Sequence, residues 1–315
     1  ITRGKGVTVA ILDTGIDPNH PVFANTKILP GRDFVDNDTC PSFANTKILP
    51  GHDFVDNDTC PIEVGSKEQN ITYGHGTHVA GLIALSAPEA KIMPIRVLDE
   101  NGVGNLWVLI EGLKYAVNNI PPNNSLVINL SMSYTRESHI LEDIVTIVAD
   151  DKDDCQEGGE KEITEKDDLC VPQGGVVVVT AAGNSGSDQP EYPAAEHATG
   201  SLAVAASKEN EKELASFSNY GQWVDIAAPG KAIWSSVPNN KYGSWSGTSM
   251  AAPLVAGTAA LVRSQHSAWS STQVVNHIIK TATQTNAEVP RRLDAAAAVG
   301  AAMPTNVVRI PMVLR

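Results

Sequence analysis

The sequence predicts an α/β protein with three layers, in which a mostly parallel central sheet has helices on both faces. Short β-branched apolar runs at 6–12, 126–130 and 175–179 are typical of strands buried on both sides of a parallel sheet. They alternate with 75–85 and 106–117, whose apolar residues recur at helical spacing. This alternation of strands and helices along the chain favours parallel strands joined by crossovers of one hand.

The first predicted strand, 6–12, ends at Asp13. Functional sites collect at the carboxyl ends of strands in open parallel sheets, so Asp13 is a candidate functional residue. The alternative is a turn aspartate that hydrogen-bonds its own backbone.

A tandem repeat follows, because residues 23–41 recur at 43–61 with one difference, Arg32 against His52. We interpret 21–61 as a duplicated segment within the domain. Both copies have the same strand pattern, so either could pair with the sheet and the register is weakly specified. The second copy leads directly into the next motif, and we therefore expect it to occupy the structural position.

A histidine motif at 74–81 opens the helix predicted at 75–85. At the first turn the helix dipole disfavours imidazolium, which predicts a neutral His75 that is ready to accept a proton. A carboxylate on the other ring nitrogen would fix the tautomer and offset that penalty once a proton arrives. His75 and His78 could instead bind a metal, but they lack the glutamate and the four-residue spacing of the zinc-protease helix.

The later part of the chain continues the alternation. Asn184 follows the strand at 175–179, close to its carboxyl end. The remaining predicted strands are 91–98, 201–206 and 223–227, and a further helix is predicted at 140–148.

An acidic segment at 150–170 interrupts this pattern. Residues 150–168 contain ten acidic side chains and three lysines, which indicates a solvated surface insertion. The four cysteines permit three pairings, and we favour a Cys155–Cys170 bridge that closes this insertion.

The last motif, 247–253, leads into an apolar run at 254–262 that fits a buried helix. Pro253 has no N–H to bond the carbonyl of Ser249, so regular helix is expected from about Pro253. Ser249 would then stand at a helix N-terminus, where negative charge is favoured, as a nucleophile that creates an oxyanion requires. The alternative is a serine that caps a core helix.

Parallel strands would bring Asp13, His75, Asn184 and Ser249 to one edge of the sheet. Together they supply an orienting carboxylate, a general base, an oxyanion donor and a nucleophile. The motifs at 9–16, 75–81, 181–184 and 247–253, in the order Asp, His, Ser, resemble those of subtilisin-like serine proteases, the subtilase family. The resemblance extends over about 6–298, and we expect one peptidase domain at 1–302 with a tail at 303–315.

The resemblance implies a serine endopeptidase that works through an acyl-enzyme intermediate. Ser249 would attack the peptide carbonyl, His75 would transfer the proton and Asp13 would hold the imidazole. Asn184 would bind the oxyanion. The resemblance also implies a propeptide inhibitor, a monomer, structural calcium without a catalytic metal, and an extended substrate lying between two strands. These predicted substrate strands contain Gly102, Val103, Gly104, Ser131, Met132 and Ser133.

Two departures from the family pattern concern specificity and calcium. Ser133 and Tyr134 replace two glycines of the second substrate segment, and Glu191 lies near the expected floor of the pocket for the residue before the cut. Glu191 predicts a preference for Lys or Arg there; the alternative is a solvated loop glutamate. Residues 85–88 run directly to the next strand, without the calcium loop of many family members, so no calcium ligand is assigned.

The composition narrows the remaining function classes. A net charge of −13 argues against nucleic-acid binding, and no apolar run is long enough for a membrane span. The four cysteines and the glycosylation sequons are compatible with a secreted protein. The alternatives to an active endopeptidase are a transpeptidase or macrocyclase with the same triad, an inactive module that binds extended peptides, and a metallohydrolase.

Overall fold

The computed structural model describes residues 2–23, 52–56, 60–121, 123–149, 171–208, 213–285, 288–289 and 291–301. The strands are β1 (Val7–Asp13), β2 (His52–Asp53), β3 (Lys91–Arg96), β4 (Ser125–Leu130), β5 (Val177–Ala181), β6 (Ser201–Ser207), β7 (Ile226–Pro229), β8 (Ile233–Val237), β9 (Lys241–Trp245), β10 (Thr283–Gln284) and β11 (Arg291–Arg292). The helices are α1 (His75–Ser86), α2 (Leu106–Asn118), α3 (His139–Ala149), α4 (Thr248–Gln265), α5 (Ser271–Thr281) and α6 (Ala295–Ala298).

The described residues form a nine-stranded sheet in the order β10-β11-β7-β6-β5-β4-β1-β3-β2. Its neighbouring strands are parallel except for the short β10–β11 pair. The predicted mostly parallel sheet is therefore confirmed. Because β1, β4 and β5 run in the same direction, their carboxyl ends meet at one edge.

Side chains of β1 alternate between two apolar cores, which confirms the three-layer arrangement. Val9 and Ile11 pack in the core that contains residues of α1, α4 and α5. Ala10 and Leu12 pack in the core that contains residues of α2 and α3. Both cores exclude water almost completely, so β1 is apolar throughout, as a central parallel strand requires.

The helix α4 begins at Thr248, earlier than the sequence predicts, and Pro253 lies inside it. Proline cannot donate to the carbonyl of Ser249. The Ser131 hydroxyl, from the segment after β4, donates to that carbonyl at 3.1 Å. A tertiary hydrogen bond thus replaces the missing helical one, and the helix continues through the proline.

The sequence prediction missed several elements near the C-terminus. β8 and β9 form an antiparallel hairpin whose turn holds Asn239 and Asn240 at positive φ. Asparagine is favoured at such turn positions, so this pair was a usable signal in the sequence. The helix α5 has a capping box of Ser270 and Gln273, also a readable signal.

The second repeat copy supplies β2, which pairs with β3. Cys60, at the end of that copy, is disulfide-bonded, and its partner lies outside the described residues. The first copy, the acidic insertion with the favoured Cys155–Cys170 bridge, and the tail at 303–315 also lie outside them. Among the helices that are described, none combines the length and the apolar character required to cross a bilayer.

Candidate active site

The carboxylate of Asp13 faces the ring of His75 across the edge of the sheet. Asp13 is the last residue of β1 and His75 the first of α1, and Oδ1 of Asp13 lies 2.7 Å from Nδ1 of His75. The same oxygen accepts the Thr14 backbone N–H at 2.8 Å. Asp13 is therefore a turn aspartate and a partner of the imidazole at once, so the two predicted alternatives are not exclusive.

The environment of His75 raises its pKa above the ordinary 6.5. Burial alone would lower that pKa, but the charge of Asp13, its hydrogen bond to the ring and the charge of Glu63 outweigh burial. The carboxylate 2.7 Å away therefore offsets the penalty that the helix start places on imidazolium, as expected for a partner on the other ring nitrogen.

Ser249 is the second residue of α4, as the motif predicted for a serine at a helix N-terminus. Its hydroxyl donates to the backbone carbonyl of Ser131 at 3.1 Å. The N-cap is Gly247 and no side chain caps the helix, so a capping role for Ser249 is wrong. Among the described residues the Ser249 hydroxyl therefore bonds Ser131 and not His75. Catalytic hydrogen bonds often form only when substrate is bound.

Asn184 follows β5 and its side-chain amide is held by the start of α4. Its Oδ1 accepts the Thr248 backbone N–H at 2.9 Å and the Thr248 hydroxyl at 3.2 Å. The Thr248 hydroxyl in turn accepts the Gly183 N–H at 3.1 Å. With its oxygen engaged, the amide has its NH₂ group available as a donor.

His75, Asn184 and Ser249 line one cavity of about 200 Å³. Because the cavity contains an imidazole, a serine hydroxyl and an amide donor, it can accommodate a carbonyl group and the charge that develops on its oxygen. Its lining includes Thr14, His75, Gly102, Ser131, Met132, Ser133, Asn184, Thr248 and Ser249.

A model described as the subtilase family matches residues 4–298. The chain belongs to the subtilase family. Thermitase of Thermoactinomyces vulgaris is 36% identical over 275 residues, which cover 84% of this chain and 77% of thermitase. Subtilisin Savinase of Lederbergia lenta is 35% identical over 289 residues, covering 89% and 84%. The major intracellular serine protease of Bacillus subtilis is 35% identical over 284 residues, covering 83% and 70%.

Solved structures give the same result. A cold-adapted subtilisin-like serine proteinase aligns with a TM-score of 0.69 and 27% identity over 93% of this chain and 90% of the other. A protease of Pseudoalteromonas arctica aligns with a TM-score of 0.70 and 28% identity, covering 95% and 91%. This subtilase is accordingly a serine endopeptidase, a hydrolase that acts on peptides.

The two segments predicted as substrate strands of the subtilase line the same cavity, but both are loops in this structure, so the strand prediction is wrong for them. Gly102–Gly104 belongs to a loop that is closed by the N–H of Asp99 on the carbonyl of Val103, at 2.8 Å. Ser131, Met132 and Ser133 follow β4. Both segments contribute to a larger, mostly apolar cavity of about 410 Å³. Its lining is Val97, Leu98, Gly102, Val103, Gly104, Asn105, Leu106, Leu109, Met132, Ser133 and Tyr134.

Glu191 is 7% exposed, so the alternative of a solvated loop glutamate is wrong. Its two oxygens accept the hydroxyls of Ser133 at 2.6 Å and Ser185 at 2.7 Å. Burial raises the pKa of Glu191, but hydrogen bonds from Ser133, Ser185 and Asn219 outweigh burial and lower it. The glutamate is thus ionised at neutral pH, and its partner Ser133 lines the cavity that His75, Asn184 and Ser249 also line.

His78, the second histidine of the motif, has contacts that differ from those of His75. Its Nε2 lies 3.1 Å from the carbonyl of Ile233 and 3.2 Å from that of Gly243, and its ring stacks on Trp245. Burial lowers its pKa to about 4, so the ring is neutral. Since two carbonyls require Nε2 to carry the proton, His78 fastens α1 to the β8–β9 hairpin.

One group of ligand-type side chains occurs in the described part of the chain: Glu137, His139 and Glu142. Calcium prefers six to eight oxygen ligands, whereas this surface group offers two carboxylates and an imidazole. The group does not fit the calcium that the resemblance implies, and no calcium ligands are assigned.

The sequence analysis missed Glu63, Trp245 and Thr248 as parts of this site. Trp245 lies against both motif histidines, with ring centroids 5.7 Å from His75 and 5.4 Å from His78. Thr248 belongs to the serine motif, where its position next to Ser249 was a usable signal. Glu63 stands in a loop and no local pattern identifies it.

Proposed function

We propose that this subtilase cleaves peptide bonds through a triad of Asp13, His75 and Ser249. Ser249 attacks the carbonyl carbon, His75 takes its proton and then gives it to the leaving amine, and Asp13 holds the imidazole. Asn184 and the backbone N–H of Ser249 donate to the oxyanion. Water then hydrolyses the acyl-enzyme. The supporting observation is the 2.7 Å contact between Asp13 and His75 in the cavity that Ser249 and Asn184 also line.

The test compares Ser249→Ala with Ser264→Ala, a serine on the surface side of the same helix that donates to the Lys5 carbonyl. A fluorophosphonate probe is expected to label the wild type on Ser249 and to label Ser264→Ala equally. Ser249→Ala is expected to be unlabelled and inactive on a peptide library. Labelling of another residue, or retained cleavage by Ser249→Ala, would refute the triad.

Product mass separates hydrolysis from acyl transfer to an amine. Hydrolysis adds one water to the two fragments, whereas a transpeptidase or macrocyclase yields ligated or cyclic peptides. We expect hydrolysis, because the named relatives are proteases and no contact among the described residues favours an amine acceptor.

We further propose that Glu191 favours Lys or Arg at the residue before the cut. Its charge lies behind the Ser133 hydroxyl, within 2.6 Å of that oxygen, and is largely shielded from water. A buried carboxylate attracts a cation more strongly than an exposed one. In Glu191→Gln the ratio of kcat/KM for Arg over Leu peptides is expected to fall roughly tenfold. A wild-type preference for Leu or Phe would contradict the proposal.

Secretion, a propeptide inhibitor and a monomeric state complete the proposal. The disulfide at Cys60 supports an oxidising compartment, although one named relative is an intracellular protease. Fractionation of the producing cells, mass analysis of the newly made chain and sedimentation test these three points.

A further inference from the structure

A second carboxylate, Glu63, lies beside the proposed triad in the loop before α1. Its Oε1 accepts the Thr77 N–H at 2.9 Å and the Thr77 hydroxyl at 3.1 Å. Its Oε2 accepts the Gly74 N–H at 3.1 Å and the Thr14 hydroxyl at 3.2 Å. Glu63 thus satisfies orphan N–H groups at the helix start that carries His75.

The Thr14 hydroxyl connects Glu63 to the triad. It lies 3.3 Å from Oδ1 of Asp13 and 3.2 Å from Oε2 of Glu63, and it accepts the Gly76 N–H at 3.0 Å. A hydroxyl has one proton, so Thr14 can donate fully to only one carboxylate at a time. The charge state of Glu63 therefore affects how strongly Asp13 is hydrogen-bonded.

Charged and titratable groups surround Glu63 on several sides. Burial, and to a lesser extent the charge of Asp13, raises the pKa of Glu63 to about 7, against the hydrogen bonds from α1. His75 faces it from α1, and its pKa is raised partly by the Glu63 charge. Tyr73 and Asp17 line a cavity of about 200 Å³ together with Glu63 and the exposed Asn19.

We propose that Glu63 is a positioning residue of the triad: it holds the first turn of α1 against Thr14, and its negative charge raises the pH above which His75 acts as a base. The inference rests on the triad of the proposed function. Ionised Glu63 stabilises imidazolium, so loss of its charge lowers the pKa of His75. A residue with only a structural role would lower kcat at every pH and leave the acid limb of activity in place.

The test is the pH profile of kcat/KM between about pH 5 and pH 9. Glu63→Gln is expected to move the acid limb to lower pH by roughly half a unit, because His75 loses one nearby negative charge. Glu63→Asp keeps the charge and is expected to keep the limb, with a lower kcat. The matched control is Glu111→Gln on α2, at the opposite face of the sheet, which is expected to match the wild type. An unmoved limb in Glu63→Gln, or the same shift in Glu63→Asp, overturns the inference.

A second readout does not require activity. In a Ser249→Ala background, NMR titration of the His75 imidazole is expected to show the same fall in pKa when Glu63→Gln is added. If Glu63→Gln does not fold, Thr14→Val tests the link, since loss of the hydroxyl bond to Asp13 is expected to move the limb to higher pH; an unmoved limb overturns the inference. Activity retained by Ser249→Ala would instead refute the triad, so the two failures are distinguishable.

Discussion

Replacing Asp53 with asparagine tests the buried ion pair that connects the second repeat copy to the sheet. Oδ2 of Asp53 lies 2.7 Å from Nη1 of Arg96, and both side chains are almost completely buried. Oδ1 accepts the backbone N–H groups of Val55 at 2.8 Å and Asp56 at 3.0 Å. Asparagine keeps the shape and the Oδ1 acceptor but leaves the Arg96 charge without this partner.

The expected loss of stability follows from the burial of the pair. Removing one partner of a buried ion pair costs about 3–5 kcal/mol. Asp56 also contacts Arg96 from a more exposed position, so we expect the lower value, about 3 kcal/mol. For a domain of this size about 1 kcal/mol lowers Tm by roughly 2 °C, which gives a fall of roughly 6 °C.

The assay is thermal unfolding at one scan rate, in a Ser249→Ala background that prevents self-digestion. The matched control is Asp33→Asn, the same change at the equivalent position of the first copy, and its Tm is expected to stay at the reference value. Equal losses in the two variants, or a loss only when both are combined, would show that the copies substitute for each other. Either result would refute the assignment of β2 to the second copy alone.

Three further predictions concern catalysis and packing. Burial lowers the pKa of His75, but the charge and hydrogen bond of Asp13 outweigh burial, so we expect the acid limb of kcat/KM above pH 6.5. In Asp13→Asn this limb is expected to move to lower pH, and kcat is expected to fall roughly 10⁴-fold. Steady-state kinetics at several pH values measures both effects. Thr248→Val removes the hydroxyl that donates to the Asn184 amide, the proposed oxyanion donor, and is expected to lower kcat roughly tenfold with little change in KM, whereas Thr248→Ser retains activity. An unchanged kcat in the valine variant would contradict this role. Gly257→Ala places a methyl group in steric conflict with the Ser86 hydroxyl of α1, so we expect a loss of roughly 2 kcal/mol in urea unfolding that Ser86→Gly partly restores. A fully stable single variant would argue against this contact.

Local pattern was sufficient for the parallel sheet and three of its helices. The strand predicted at 6–12 appears as β1, and the helix predicted at 140–148 appears as α3. These predictions succeed because burial on both faces demands apolar runs in parallel strands, and burial on one face demands a helical period. The start of α4 was wrong because its stability through Pro253 depends on a hydroxyl from another element.

The direction of a pKa shift and the burial of a charged side chain were harder to predict from the sequence than the presence of a histidine or a glutamate near the site. The motif around His75 identified a histidine at a helix start, yet the sign of its pKa shift depended on Asp13 and Glu63. Glu191 could be singled out from the sequence, but its burial and its two serine partners depend on loops that converge in three dimensions. Such contacts have no periodic signal in the chain.

The sequence by itself determined the fold class and the family, and it supplied the candidate residues of the proposed triad, because periodicity and motif spacing are local properties. Only the tertiary structure decided that Asp13 and His75, separated by 62 positions in the chain, are in hydrogen-bond contact, and that Glu63 joins them through Thr14. Distances of this kind are set by how complete cores pack on both faces of the sheet. The strength of an electrostatic interaction depends on those distances, and so does the direction in which it shifts a pKa. No single stretch of sequence encodes these distances.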